Sequence, residues 1–121
     1  MTTILVVDDE FLIADVLTFA LEDEGFIVVR ASNGRKGLDA FQRDRPALVI
    51  TDFMMPVMNG LEFARAVKAR AEGTALPIIL MSGAQADIAR QNRHLFAAVF
   101  DKPFSVARIV ESVIGLVGRP G

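Results

Sequence analysis

Two neighbouring acids, Asp8-Asp9, close the first apolar run of this chain, and a third acid, Asp52, closes a later one. Ser82-Gly83 and Asp101-Lys102-Pro103 stand at the ends of two further apolar runs. Carboxylates brought together without compensation repel and raise one another's pKa, so they call for a cation. A hard ion with oxygen ligands suits them, and Mg²⁺ commonly binds through a few carboxylates plus waters and phosphate oxygens. Such an ion neutralises charge on a transferring phosphoryl group and aligns it with an attacking carboxylate. Asp and Glu carboxylates form acyl-phosphate intermediates. A lysine adds a positive point charge for the product oxygens, and a serine adds a hydroxyl donor. Brought to one edge, these residue types make a set for metal-assisted phosphoryl transfer.

Taken singly, each has a plainer reading. Asp8-Asp9-Glu10 suits the start of a helix, where acids meet the positive end of the dipole. Asp52 suits a turn before Pro56, Ser82-Gly83 suits another turn, and Lys102 suits the surface. The chemical reading therefore depends on convergence. His94, the single histidine, sits in a polar helical stretch and reads as exposed and inert. Met54, Met55 and Met58 read as loop and core packing, because thioethers suit softer metals.

The elements that would bring the set together are legible in the spacing. Apolar, β-branched-rich runs at residues 4–7, 27–29, 47–50, 77–81 and 97–100 lack strict alternation, as do strands buried on both faces of a parallel sheet. Ile13, Val16, Leu17, Ala20 and Leu21 mark the inner face of a first helix, and Gly25 sits where a left-handed cap would stop it. Leu38 and Phe41 mark a second helix after Asn33-Gly34. Leu61, Ala64 and Val67 mark a third after Asn59-Gly60. A fourth spans residues 86–95 with few apolar anchors. Ser105 caps a fifth, with Val106, Ile109, Val110 and Val113 facing inward. Strands alternating with helices predict βαβ units and a parallel sheet, whose ligands bind beyond the carboxyl ends of the strands.

The 121 residues suit one domain, and a hydrophobic fraction of 52% argues against low-complexity disorder. The formal net charge is −2 with no basic run, which gives no sign of a nucleic-acid or membrane-surface partner. With no cysteine, disulfides, thiolate metal sites and thiol nucleophiles are excluded. No apolar stretch approaches the ~18–20 residues of a transmembrane helix, so the expected compartment is the cytoplasm. The last residues, Gly118-Arg119-Pro120-Gly121, read as a frayed tail with no output domain after it, leaving a core at about residues 3–117.

Asp8-Asp9, Asp52-Phe53-Met54-Met55-Pro56-Val57-Met58-Asn59-Gly60, Ser82-Gly83 and Lys102-Pro103-Phe104, in order and over nearly the whole chain, resemble the response-regulator receiver family. The resemblance implies a stand-alone flavodoxin-like (βα)₅ fold with strand order 2-1-3-4-5. It makes Asp52 the phosphoacceptor and Lys102 the phosphate-binding lysine, with Ser82 at the family's Ser/Thr position. Mg²⁺ would be bound directly by Asp9, Asp52 and the Met54 carbonyl, and by Asp8 through water. The Lys102-Pro103 peptide is expected to be cis. The implied partners are a histidine kinase or histidine phosphotransfer domain and a downstream protein.

Three positions depart from the family pattern. Val99 stands at the aromatic switch position, next to Phe100. Met54 and Ala84 have no side-chain hydrogen bond to offer a hydrolytic water. Leu95-Phe96 replace the glycine that ends the fourth helix. An aspartyl-phosphate hydrolase of the haloacid-dehalogenase type would need a general acid where Met54 stands. A pseudo-receiver would lack an acid, the hydroxyl or the lysine, and all are present. The expected role is therefore that of a signalling receiver rather than of an enzyme with a separate substrate.

Overall fold

A computed structural model describes residues 1–83 and 86–120. Five strands alternate with five helices: β1 (Thr3–Val7), α1 (Phe11–Asp23), β2 (Ile27–Ala31), α2 (Gly34–Asp44), β3 (Leu48–Asp52), α3 (Gly60–Lys68), β4 (Ile78–Ser82), α4 (Ala86–Gln91), β5 (Ala98–Asp101) and α5 (Val106–Val117). All strand pairs are parallel, in the order β2-β1-β3-β4-β5. This is the expected doubly wound, flavodoxin-like arrangement. Among the described residues no helix is long and apolar enough to cross a membrane.

The pleat divides the core. Ile4, Val6, Leu48, Ile50, Ile79 and Met81 pack on one face against α1 and α5. Leu5, Val7, Val49 and Ile78 pack on the other against α2 and α3. Successive side chains of a strand point to opposite faces, so a strand covered on both sides must be apolar throughout. That is why these runs read as continuous rather than alternating.

Helix ends follow local chemistry. Asn33 accepts from Lys36 N–H at 2.9 Å. Asn59 and Glu62 form a reciprocal capping box at the start of α3. Helix α1 ends at Gly25, whose φ of 101° suits glycine, with Gly25 N–H donating to Glu22 and Phe26 N–H to Leu21.

Three details differ from the spacing. Helix α1 buries Ala14, Leu17 and Leu21 while Val16 is 51% exposed, so the helix is rolled toward small Ala14 and away from Val16. The fourth helical stretch breaks into α4 and a separate 3₁₀ turn, Arg93–Leu95. Among the described residues of α4, Ala89 alone enters a core cluster, and Asn92 Nδ2 donates back to the Ile88 carbonyl at the break. The C-terminal tail makes contacts of which its composition gave no sign: Arg119 reaches Glu24 at 3.4 Å, and Pro120 lies against Gly25. Ala84 and Gly121 lie outside the described residues.

The loop between β3 and α3 is clamped by glycines. A Cβ on Gly60 would collide with the Asp52 carbonyl oxygen, and one on Gly34 with the Met58 carbonyl. Between these clamps Val57 is held at φ 72°, a left-handed conformation that is unfavourable for a β-branched side chain. Gly60→Ala is expected to lower stability by about 2 kcal/mol through that backbone clash, although alanine ordinarily favours a helix. Val57→Asn is expected to raise it by about 1 kcal/mol, since asparagine tolerates positive φ. Chemical denaturation of the two variants checks both signs.

Candidate functional site

Strand order reverses between β1 and β3, whose following helices α1 and α3 pack on opposite faces of the sheet. Val7 lies opposite Thr51, so Asp8 and Asp52 leave the sheet at the same level. Asp52 pairs with Met81, which sets Ser82 one step beyond it on β4. Ser82 lies opposite Asp101, and its carbonyl accepts the Lys102 N–H at 2.8 Å. The backbone thus ties Lys102 to β4, while its side chain crosses to Asp52, Nζ to Oδ1 at 2.9 Å. The Lys102-Pro103 peptide is cis.

Asp8 and Asp52 are each only 3% exposed, and Ser82 is fully buried. Burial is the leading influence on both acids. It pushes Asp8 up to about 6, against the pull of the Glu10 N–H, which donates to Asp8 Oδ1 at 2.9 Å; the charge of Asp52 pushes the same way as burial. Burial also raises Asp52, opposed by the hydrogen bond and charge of Lys102. At Lys102 burial works against the ammonium, but the hydrogen bond and charge of Asp52 outweigh it and the net shift is upward.

Among the described residues three buried side-chain atoms are left without partners: Thr18 Oγ1 on α1 and, at the site, Asp8 Oδ2 and Ser82 Oγ. Buried polar atoms in folded proteins almost always find a partner, so orphans beside a carboxylate pair mark room for a ligand. Asp8, Glu10 and Asp52 each bring one carboxylate oxygen within 4.8 Å of the others. An all-oxygen, multiply anionic donor set fits a hard divalent cation.

The structure therefore brings together Asp8, Asp52 and Lys102, with Ser82 adjoining them on β4. Asp9 is exposed and lies outside the carboxylate cluster, where Glu10 stands instead. The backbone at Glu10 is extended, with φ −90° and ψ 105°. The chain bends at Asp9, and the Glu10 N–H donates to Asp8 Oδ1 across that bend, which brings Glu10 back beside Asp8. Residue type and spacing alone gave Glu10 no role at the site, since an acid there also suits a helix start. Met54, whose carbonyl the resemblance offers to the metal, is 60% exposed at the start of the loop.

Val99 is half-buried against Phe53, Leu80 and Ala89. Phe100 packs with the α1/α5 core on the opposite face. The adjacent aromatic therefore does not stand in for the one missing at residue 99, because the pleat turns it to the wrong side.

Comparison with known proteins agrees with this geometry. The sequence profile of the response regulator receiver domain matches residues 4–114. The alkaline phosphatase synthesis transcriptional regulatory protein SphR of Synechococcus elongatus is 34% identical over 127 residues, covering 96% of this chain and 49% of that protein. Sporulation initiation phosphotransferase F of Bacillus subtilis is 32% identical over 111 residues, covering 91% of this chain and 89% of that protein. The chain thus spans about half the length of the transcriptional regulators it matches. Among solved structures, the chemotaxis response regulator CheY4 of Vibrio cholerae superposes with a TM-score of 0.87 at 27% identity, covering 97% of this chain and 99% of that one. A response regulator receiver protein from Pseudomonas putida also gives 0.87, at 28% identity over 94% and 96% of the two chains. With its acids at the β1/β3 switch point and its lysine reaching across from β5, the chain belongs to the response regulator receiver domain family.

Proposed function

We propose that Asp52 accepts a phosphoryl group from the phosphohistidine of a kinase or phosphotransfer domain, with Mg²⁺ at the acids of the β1 and β3 ends. The observation that carries this reading is the buried Asp52–Lys102 pair at 2.9 Å, flanked by the orphaned atoms Asp8 Oδ2 and Ser82 Oγ. A carboxylate so enclosed is shielded from water and needs a small electrophile with its own countercharge. An Asp52 oxygen forms the new bond to phosphorus as the bond from phosphorus to the histidine nitrogen breaks. The electron pair of that bond returns to the imidazole. Lys102 then turns from the Asp52 carboxylate to the phosphoryl oxygens, and the unpartnered Ser82 hydroxyl has a donor to offer another of them.

The cation supplies Lewis-acid neutralisation of the phosphoryl charge when bound. Asp8, Asp52 and Glu10 present the gathered carboxylates, while the assignment of Asp9 and the Met54 carbonyl as direct ligands rests on the family resemblance. Sporulation initiation phosphotransferase F, most of whose length this chain covers, supports a phosphotransfer role by its name. The exposed thioether of Met54 has no proton to give a leaving group, which weighs against an aspartyl-phosphate hydrolase.

The donor's docking surface is proposed to be the outer side of α1. Phe11, Leu12, Val16 and Phe19 are exposed there by 72, 81, 51 and 77%. An apolar groove of about 220 Å³ between Leu12, Ile13, Val16, Phe104 and Val106 joins this stripe to the loop after β5. So much exposed apolar surface beside the acceptor fits a contact with another protein.

Acetyl phosphate or a cognate kinase is expected to label the protein only with Mg²⁺ present, and Asp52→Asn to abolish the label. A stable acyl phosphate on that variant would remove Asp52 as the acceptor. Lys102→Ala is expected to retain partial labelling. Leu12→Ser with Phe19→Ser is expected to slow transfer from the kinase by about tenfold, equivalent to about 1.4 kcal/mol of lost apolar contact, and to leave the acetyl phosphate rate unchanged. Equal slowing with both donors would leave the stripe without a docking role.

The raised Asp8 carboxyl also gives a sign. Its folded-state pKa of about 6 lies above the ordinary 3.8, so its contribution to stability is complete below pH 3.8 and is lost as pH rises through about 6. Metal-free Asp8→Asn is expected to gain stability relative to the parent protein between pH 4 and about pH 7, measured by denaturation across that window.

A further inference from the structure

Glu10 is the one member of the carboxylate cluster to which the family resemblance gives no role. Its side chain caps nothing: it occupies the N-cap position of α1 without a side-chain cap hydrogen bond. Its N–H is already taken by Asp8 Oδ1, and its carbonyl accepts from Ala14 N–H at 3.1 Å as the helix begins. The carboxylate, 58% exposed, instead extends to Lys102, Oε1 to Nζ at 3.5 Å. It also brings an oxygen within 4.8 Å of ligand oxygens of both Asp8 and Asp52. Asp8, 3% exposed, carries an Oδ2 with no hydrogen-bond partner in this same cluster.

We infer that Glu10 is a positioning residue of the cation site: it draws the divalent ion to the mouth and holds Lys102 when the ion claims Asp52. The inference rests on the phosphotransfer reading and deepens it. Lys102 Nζ lies 2.9 Å from Asp52 Oδ1, on the same carboxylate the cation needs. Two cations cannot share one buried carboxylate without mutual repulsion. Glu10 relieves this in two ways, and both have the same sign. Its charge attracts the divalent ion directly, and it offers the lysine a second anionic partner from which the ammonium still reaches the phosphoryl group. Because Glu10 is exposed, its carboxylate keeps its water and gives up little on exchanging partners.

The test is calorimetric titration of Mg²⁺ into the unphosphorylated chain. Glu10→Gln keeps the length and polarity of the side chain and removes only the charge, and is expected to weaken Mg²⁺ affinity about fivefold after ionic screening. Glu22→Gln, the same charge change at an exposed position of α1 outside the cluster, is expected to alter it less than twofold. Glu10→Asp, which restores the charge on a shorter arm, is expected to recover part of the loss. A purely structural role would move the unfolding midpoint of metal-free Glu10→Gln, which is expected to stay with the parent. If Glu10→Gln binds Mg²⁺ within twofold of the parent protein while Asp52→Asn loses binding, the role of Glu10 is overturned and the site stands. If Asp52→Asn binds Mg²⁺ undiminished, the cation lies elsewhere, and the metal-site reading falls together with this inference.

Discussion

Two carboxylates almost closed off from water, side by side, with one ammonium between them and the rest of the domain: that electrostatic debt governs the structure. Asp8 and Asp52 are buried because β1 and β3 are neighbours in register at the reversal of strand order. Burial alone would drive both toward the neutral acid. Lys102 offsets part of it, but only because β5 is carried to the far side of β4 and its first residue beyond the strand is tied to the Ser82 carbonyl. What Lys102 does not compensate is left visible as an unpaired oxygen on Asp8 and an unpaired hydroxyl on Ser82. Such groups cost stability wherever they stand, and here two of them adjoin the carboxylate cluster of Asp8, Glu10 and Asp52.

Much of this was legible in the residues. The strands were readable because burial on both faces demands unbroken apolar runs, and the caps at Asn33, Asn59 and Ser105 because short polar side chains satisfy free helix N–H groups. The site acids were readable as strand-end residues once a parallel sheet was in view. The roll of α1 was not. Ile13, Val16, Leu17, Ala20 and Leu21 and the observed Ala14, Leu17 and Leu21 share two leucines and differ by a modest rotation. The choice is made by how closely small Ala14 lets the helix approach the sheet, a matter of packing rather than of period. Glu10 was hidden because its place beside Asp8 depends on a bend at Asp9, which no periodicity reports.

The break in the fourth helical stretch has the same origin. A segment with one buried side chain has little tertiary packing to hold it, and short helices draw most of their stability from packing. Asn92, bonding back to the Ile88 carbonyl and receiving Arg65 at 3.2 Å, then competes successfully with the helical ladder. At β5 the pleat settles a different question: Val99 and Phe100 are consecutive yet belong to different cores.

These features distribute mechanical compliance unevenly around Asp52. On one side, the loop after β3 is wedged between Gly34 and Gly60, where backbone meets backbone and there is no free volume to yield into. On the other, Ala89 is the one described residue of α4 in a core cluster, with Ile88 turned partly to solvent. The two flanks of Asp52 are therefore held by different means: backbone against backbone beside α2 and α3, and the small side chain of Ala89 on the α4 side.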